Sequence, residues 1–105
     1  MSGPVNPHRG EVSLVLDGRE HVMRLTLGAL AALEHDLGED SLINLVQRFE
    51  NNAFSAHDLM ALLRAGLQGG GADISAATLA GADIQGGPMA ATRAAAELLA
   101  RAFTS

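Results

Sequence analysis

The chain has no cysteine, lysine, tryptophan or tyrosine among its 105 residues. Without cysteine it can form neither a disulfide framework nor a thiolate zinc site, and a reducing compartment suits it. Its aromatic content is 3%, all phenylalanine, which is too little for a base-stacking platform or an aromatic sugar-binding surface. No apolar run approaches the roughly 20 residues that span a bilayer, and "MSGPVNPHRGE" lacks the apolar centre of a secretory signal. A cytoplasmic protein is expected, with no membrane partner. Seven basic residues against twelve acidic ones leave a net charge of −5, which suits a nucleic-acid backbone poorly. The absence of lysine beside abundant alanine matches GC-rich coding and carries no functional message.

What is present fits one α+β domain over residues 11–105 after a flexible N-terminal arm, residues 1–10, marked by Gly3, Pro4 and Pro7. Asp17-Gly18 is a two-residue hairpin signal, because a type I′ turn needs positive φ at both central positions. Pairing Leu16 with Arg19 puts Val12, Leu14 and Leu16 on one face with His21 and Met23, continued by Leu25. That face is the core candidate. A two-stranded hairpin is marginal alone in water, so helices must cover it.

Four to five short helices are expected after the hairpin. Thr26 caps the first, with Leu30, Leu33 and Leu37 in register and Gly38 as its stop. Asp40 or Ser41 caps a second with a Leu42, Leu45, Val46, Phe49 stripe that leaves out Ile43. Ser55 to Asp58 forms a capping-box variant that opens a third helix through Leu59, Leu62, Leu63 and Leu67. Counting Met60, the apolar positions of this helix span about 160 degrees, wider than an ordinary surface stripe. The helix is therefore either central or covered by another protein. Gly69 to Gly71 end it, Ser75 caps a short fourth helix, and Gly87-Pro88 open a last one. In that last helix an Arg93, Glu97, Arg101 arc opposes Ala91, Ala95, Leu98, Leu99, Ala102 and Phe103.

No constellation of catalytic or metal-ligating residues stands out. His8, His21, His35 and His57 are scattered without metal-ligand spacing. Glu34, Asp36, Glu39 and Asp40 lack the alternation of a calcium loop, and the last two favour the N-terminus of the second helix. "GLQGGGADIS" follows a helix and lacks the Gly-Lys-Ser/Thr ending of a phosphate loop, so it reads as a helix stop and connector. Ser41, Ser55 and Ser75 all fall at helix caps rather than in a nucleophile setting. No enzyme activity, catalytic residue, cofactor or metal is expected.

Taken together, "NPHRGEVSLVLDG", "RLTLGALAALEHDLG" and "GLQGGGADIS" resemble the small tail protein of bacterial gene transfer agents and related siphophages. That family is grouped with phage tail tube assembly chaperones. The resemblance implies a non-catalytic protein that binds the tape-measure protein and helps the tail tube protein assemble on it. It leaves as the alternative a structural, tube-associated component retained in the particle. The partner surface is expected at Met60 and Leu67, toward one margin of the third helix, where a flexible thioether suits varied clients. Open hairpin edges are expected to serve self-association.

Overall fold

Asp17 and Gly18 take φ values of 51° and 80°, the left-handed pair that a type I′ turn requires. The turn fixes the pairing of β1 (Val12–Leu16) with β2 (Arg19–Met23), with Leu16 opposite Arg19, Leu14 opposite His21 and Val12 opposite Met23. Among the described residues five helices follow: α1 (Leu27–Leu37), α2 (Leu42–Glu50), α3 (Ala56–Gly69), α4 (Ala76–Gly81) and α5 (Gly87–Phe103). The computed structural model describes residues 10–38 and 41–103. Apart from Gly10, the expected N-terminal arm lies outside the described residues.

The arrangement is α+β, a hairpin laid against helices, and the predicted caps open the first four helices. Thr26, Ser41, Ser55 and Ser75 each accept a hydrogen bond from the backbone N–H three residues on. Each satisfies a donor that the first helical turn leaves without an intrahelical partner. At Ser55 the Asp58 carboxylate reciprocates by accepting from the Ser55 N–H, which completes the capping box.

α3 is the axis of the fold. Ala61, Leu62, Leu63, Ala65, Gly66 and Leu67 are all buried along it. Against them pack Val12, Leu14 and Met23 of the hairpin, Leu33 of α1, Leu79 of α4, and Ala91, Ala95, Leu98 and Leu99 of α5. The wide apolar arc of this helix is thus used within the chain. Burying each of its leucines stabilises the fold by roughly 1.5–3 kcal/mol before entropy is counted.

The C-terminal end of α3 meets the backbone of β2 directly. The Arg24 N–H donates to the Gly66 carbonyl at 2.9 Å. A Cβ added at Gly69 would sit 1.8 Å from the Arg24 carbonyl oxygen, and one added at Gly70 1.8 Å from that of Val22. The glycines read from sequence as a stop are also the space into which a strand fits. Gly70 has an ordinary helical φ of −86°, so it is small here for room and not for backbone freedom.

The hairpin does not present the open edges expected of it. On the outer side of β1 the Asp17 N–H donates to the Asp83 carbonyl at 2.8 Å, and the Gln85 N–H donates to Val15 at 3.0 Å. Asp83 N–H also donates to the Asp17 carboxylate at 2.9 Å. Leu16 and Ile84 form an antiparallel bridge there, and Arg101 donates to the Glu11 carbonyl. On the outer side of β2, Val22 and Arg24 face the end of α3. The loop between α4 and α5 carries no strand signal of its own, so this third, strand-like partner was not legible locally.

Candidate interaction surface

Of the two residues expected to meet a partner, the structure separates one from the other. Leu67 is fully buried, which corrects its expected place at the margin of α3. The reason is the close seat of β2 on Gly66, Gly69 and Gly70, which wraps the last turns of α3 from the side the helix wheel left open. Met60 lies two turns earlier and stays half-buried, packed against the edge of the core. It lines a shallow cavity of about 190 Å³ with Asp36, His57, Ala61, Arg64 and Ala76. This surroundings is mixed rather than dry, for Arg64 pairs with Asp36 at 3.7 Å and its Nε donates to the Ile74 carbonyl at 3.3 Å.

A more apolar groove of about 330 Å³ runs between α2 and the second half of α5. Val46, Phe49 and Glu50 form one wall and Ala96, Leu99, Ala100 and Phe103 the other. Phe49 stacks on Phe54 at the base of α2, with ring centroids 4.3 Å apart. Ile43, one turn before Val46 on the same helical row, is 70% exposed, and Phe103 is 53% exposed. On α5 the row Met89, Ala96, Ala100, Phe103 lies opposite the buried Ala91, Ala95, Leu98 row, so the outer face of this helix is apolar over much of its length. The sequence pattern groups Phe103 with Ala91, Ala95, Leu98 and Leu99 opposite the Arg93, Glu97, Arg101 arc; the structure instead leaves Phe103 exposed, in line with Met89, Ala96 and Ala100.

Among the described residues the most closely held charge is Asp58, whose place in the sequence pattern is that of a helix cap. Arg48 of α2 grips it with two parallel bonds, Nε to Oδ2 at 2.8 Å and Nη2 to Oδ1 at 3.0 Å. Burial by itself would raise the carboxyl's pKa. The hydrogen bonds from Arg48 and the Ser55 backbone, with the Arg48 charge, outweigh it and hold the group below its ordinary value. The ten-residue separation of Arg48 and Asp58 hides this pair from any reading by helical spacing.

The remaining polar candidates stay apart. His35 and His57 are exposed, and His21 lies half-buried at the hairpin rim. Glu34 and Asp36 are exposed on α1, whereas His8, Glu39 and Asp40 lie outside the described residues. Among the described residues no three acidic or histidine side chains gather as metal ligands would, and no helix is long and apolar enough to cross a membrane. The polar chemistry that is assembled, at Asp58, joins two helices.

No curated protein and no solved structure matches the chain. Residues 9–105 match the family described as "Phage tail tube protein, GTA-gp10", in keeping with the resemblance carried by the hairpin, the first helix and the glycine-rich connector after the third. With almost its whole length covered, the chain belongs to this family of gene transfer agent and phage tail proteins.

Proposed function

We propose that the protein is a structural component of a phage-like tail, associated with the tail tube and acting by contact rather than by catalysis. The observation that carries this reading is the match to a tail tube family over residues 9–105. It moves the weight from an assembly chaperone, which the sequence resemblance puts first, to the tube-associated component. The apolar outer face of α5 and the α2–α5 groove agree with a protein that works by contact, since contiguous apolar surface marks interaction sites. Its partners are other tail proteins, the tail tube protein among them, or further copies of itself. It is soluble and cytoplasmic until it joins the tail, and residues 11–105 act as one domain.

One observation favours the second reading, a chaperone that binds the tape-measure protein and leaves. Among the described residues the sheet has two strands, and both outer edges meet other parts of the same chain, so these residues offer little for a strand-to-strand tube wall. On that reading Met60 remains the residue to meet a tape-measure helix. An antibody to this chain, applied to gradient-purified particles before and after a high-salt wash, separates the two. Retention through the wash supports the component; a signal confined to the soluble lysate overturns it in favour of the chaperone.

A further inference from the structure

The outer row of α5 is symmetric about its middle. Met89, Ala96 and Phe103 recur every seven residues, about 20 degrees short of two full turns, so they line up along one side of the helix. Met89 is 75% exposed, Phe103 is exposed as well, and each stands about 10 Å along the axis from Ala96. Thr92 and Ala100 lie four residues to either side of Ala96; Ala96 and Ala100 are exposed and Thr92 is half-buried. The Thr92 hydroxyl already donates to the Pro88 carbonyl at 2.9 Å, so covering it strands no donor. From either end the row runs large, small, small, small, large. Exposed Arg93 and the half-buried Glu97, which pairs with Arg101 at 3.3 Å, border it on one side. α2 and the groove border the other.

We propose that this face of α5 binds a second copy of the same chain, the two α5 helices lying antiparallel about a two-fold axis at Ala96. A two-fold contact uses one patch on both subunits, so it requires a self-complementary row. In this pairing Met89 of each copy meets Phe103 of the other, Thr92 meets Ala100, and the central alanines let the helix axes approach to about 8 Å. Arg93 of each copy comes within about 3 Å, along the axis, of Glu97 of the other, an opposite-charge pair made twice. A parallel copy would set Arg93 against Arg93 and Glu97 against Glu97, so the charge order selects the antiparallel one. An unrelated apolar helix would cover the large side chains and leave that charge order unmatched. α5 has 17 residues and is about 25 Å long, so the seam is smaller than a standard stable interface and the dimer is weak and separated by dilution. This pairing deepens the tail reading and rests on it in taking the α5 face as a contact surface.

Sedimentation equilibrium of the whole isolated chain, from about 5 μM to about 500 μM, tests it, and its failure would leave the particle result untouched. The average mass should rise from that of one chain, 10.8 kDa, toward twice that value and no further. Ala96→Glu puts two carboxylates on the two-fold axis and should weaken association about tenfold or more, with Tm unchanged because the position is exposed. The chain has no cysteine, so introduced thiols report the register without background. Under mild oxidation Ala96→Cys should cross-link to itself faster than Ala31→Cys, at an exposed position of α1. A mixture of Met89→Cys and Phe103→Cys should give the mixed disulfide in preference to either like pair. A chain that stays monomeric at the highest concentration, growth beyond two copies, or association that Ala96→Glu leaves unchanged overturns the proposal. Cross-linking of Ala96→Cys no faster than Ala31→Cys, or a preference for like pairs in the mixture, overturns it as well.

Discussion

The two ends of α3 are built on opposite plans. At its C-terminal end the helix meets β2 backbone to backbone, with glycines at 66, 69 and 70 clearing the way. At its N-terminal end it meets α2 through a bidentate ion pair grafted onto a capping box. Close backbone packing has no adjustable part, because a carbonyl cannot rotate aside as a side chain can. The ion pair has long, flexible arms, and water can replace either member. One end of the axis is therefore a fixed joint, and the other a joint that can be released.

The sharpest way to break this contrast is to put a methyl group into the fixed joint. Gly70→Ala and Gly69→Ala would each place a Cβ 1.8 Å from a backbone carbonyl oxygen of the hairpin. We expect a loss of about 3 kcal/mol or more, a fall in Tm of more than about 10 °C. A shift under about 4 °C would show that the joint gives way easily and that the two ends are alike. Gly66→Ala sharpens the point, because the nearest atom it would meet is the end of the Leu98 side chain at 2.6 Å, which can turn, so its cost should be smaller.

Next in size is the releasable joint. Asp58→Ala removes the carboxylate that Arg48 grips and half of the capping box, an expected loss of about 2 kcal/mol. The pKa of Asp58 is lowered in the folded state, so its contribution is complete above the ordinary value of 3.8 and is lost as pH falls through the lower folded value. The gap in stability between wild type and Asp58→Asn should accordingly close on acidification below that value. A gap that stays constant down to pH 2 would mean the carboxylate's charge is not what ties the helices.

Gly18→Val tests the turn alone. Nothing lies within 4 Å of the position, so the cost comes from forcing a β-branched residue to a φ of 80°, about 2 kcal/mol with the core untouched. Smallest of all should be Met60→Glu, at a half-buried position beside the Arg64–Asp36 pair, with a change in Tm of a few degrees. Unfolding of this variant would place Met60 in the core and remove it from any partner surface.

What the sequence revealed follows from what is local. Asp-Gly, four serine or threonine caps and the apolar rows of α1, α2 and α3 were legible, because each is decided within three or four residues of chain. The burial of Leu67 was not, since the helix wheel shows which side of α3 is apolar and not how far a neighbouring strand reaches around it. The glycines after Leu67 carried the missing signal, but a helix stop explains them equally well from sequence. The Arg48–Asp58 pair and the bonds from the residue 83–85 loop to β1 depend on where separate elements meet, which no local period records. The groove toward α5 hid for a different reason: alanine reads as neutral in a sequence and becomes a surface only when aligned with Met89 and Phe103.

The central claim, that this member of a tail tube family works as a lasting part of the tail, meets its most direct test in counting. Quantitative mass spectrometry of purified particles, with labelled peptides from this chain and from the tail tube protein as standards, gives copies per tail. A lasting part of the tail should be present in a fixed number of copies, one or more per tail, that holds from one preparation to the next. A value well below one copy per particle, with the protein abundant in the soluble fraction of the same cells, would contradict it.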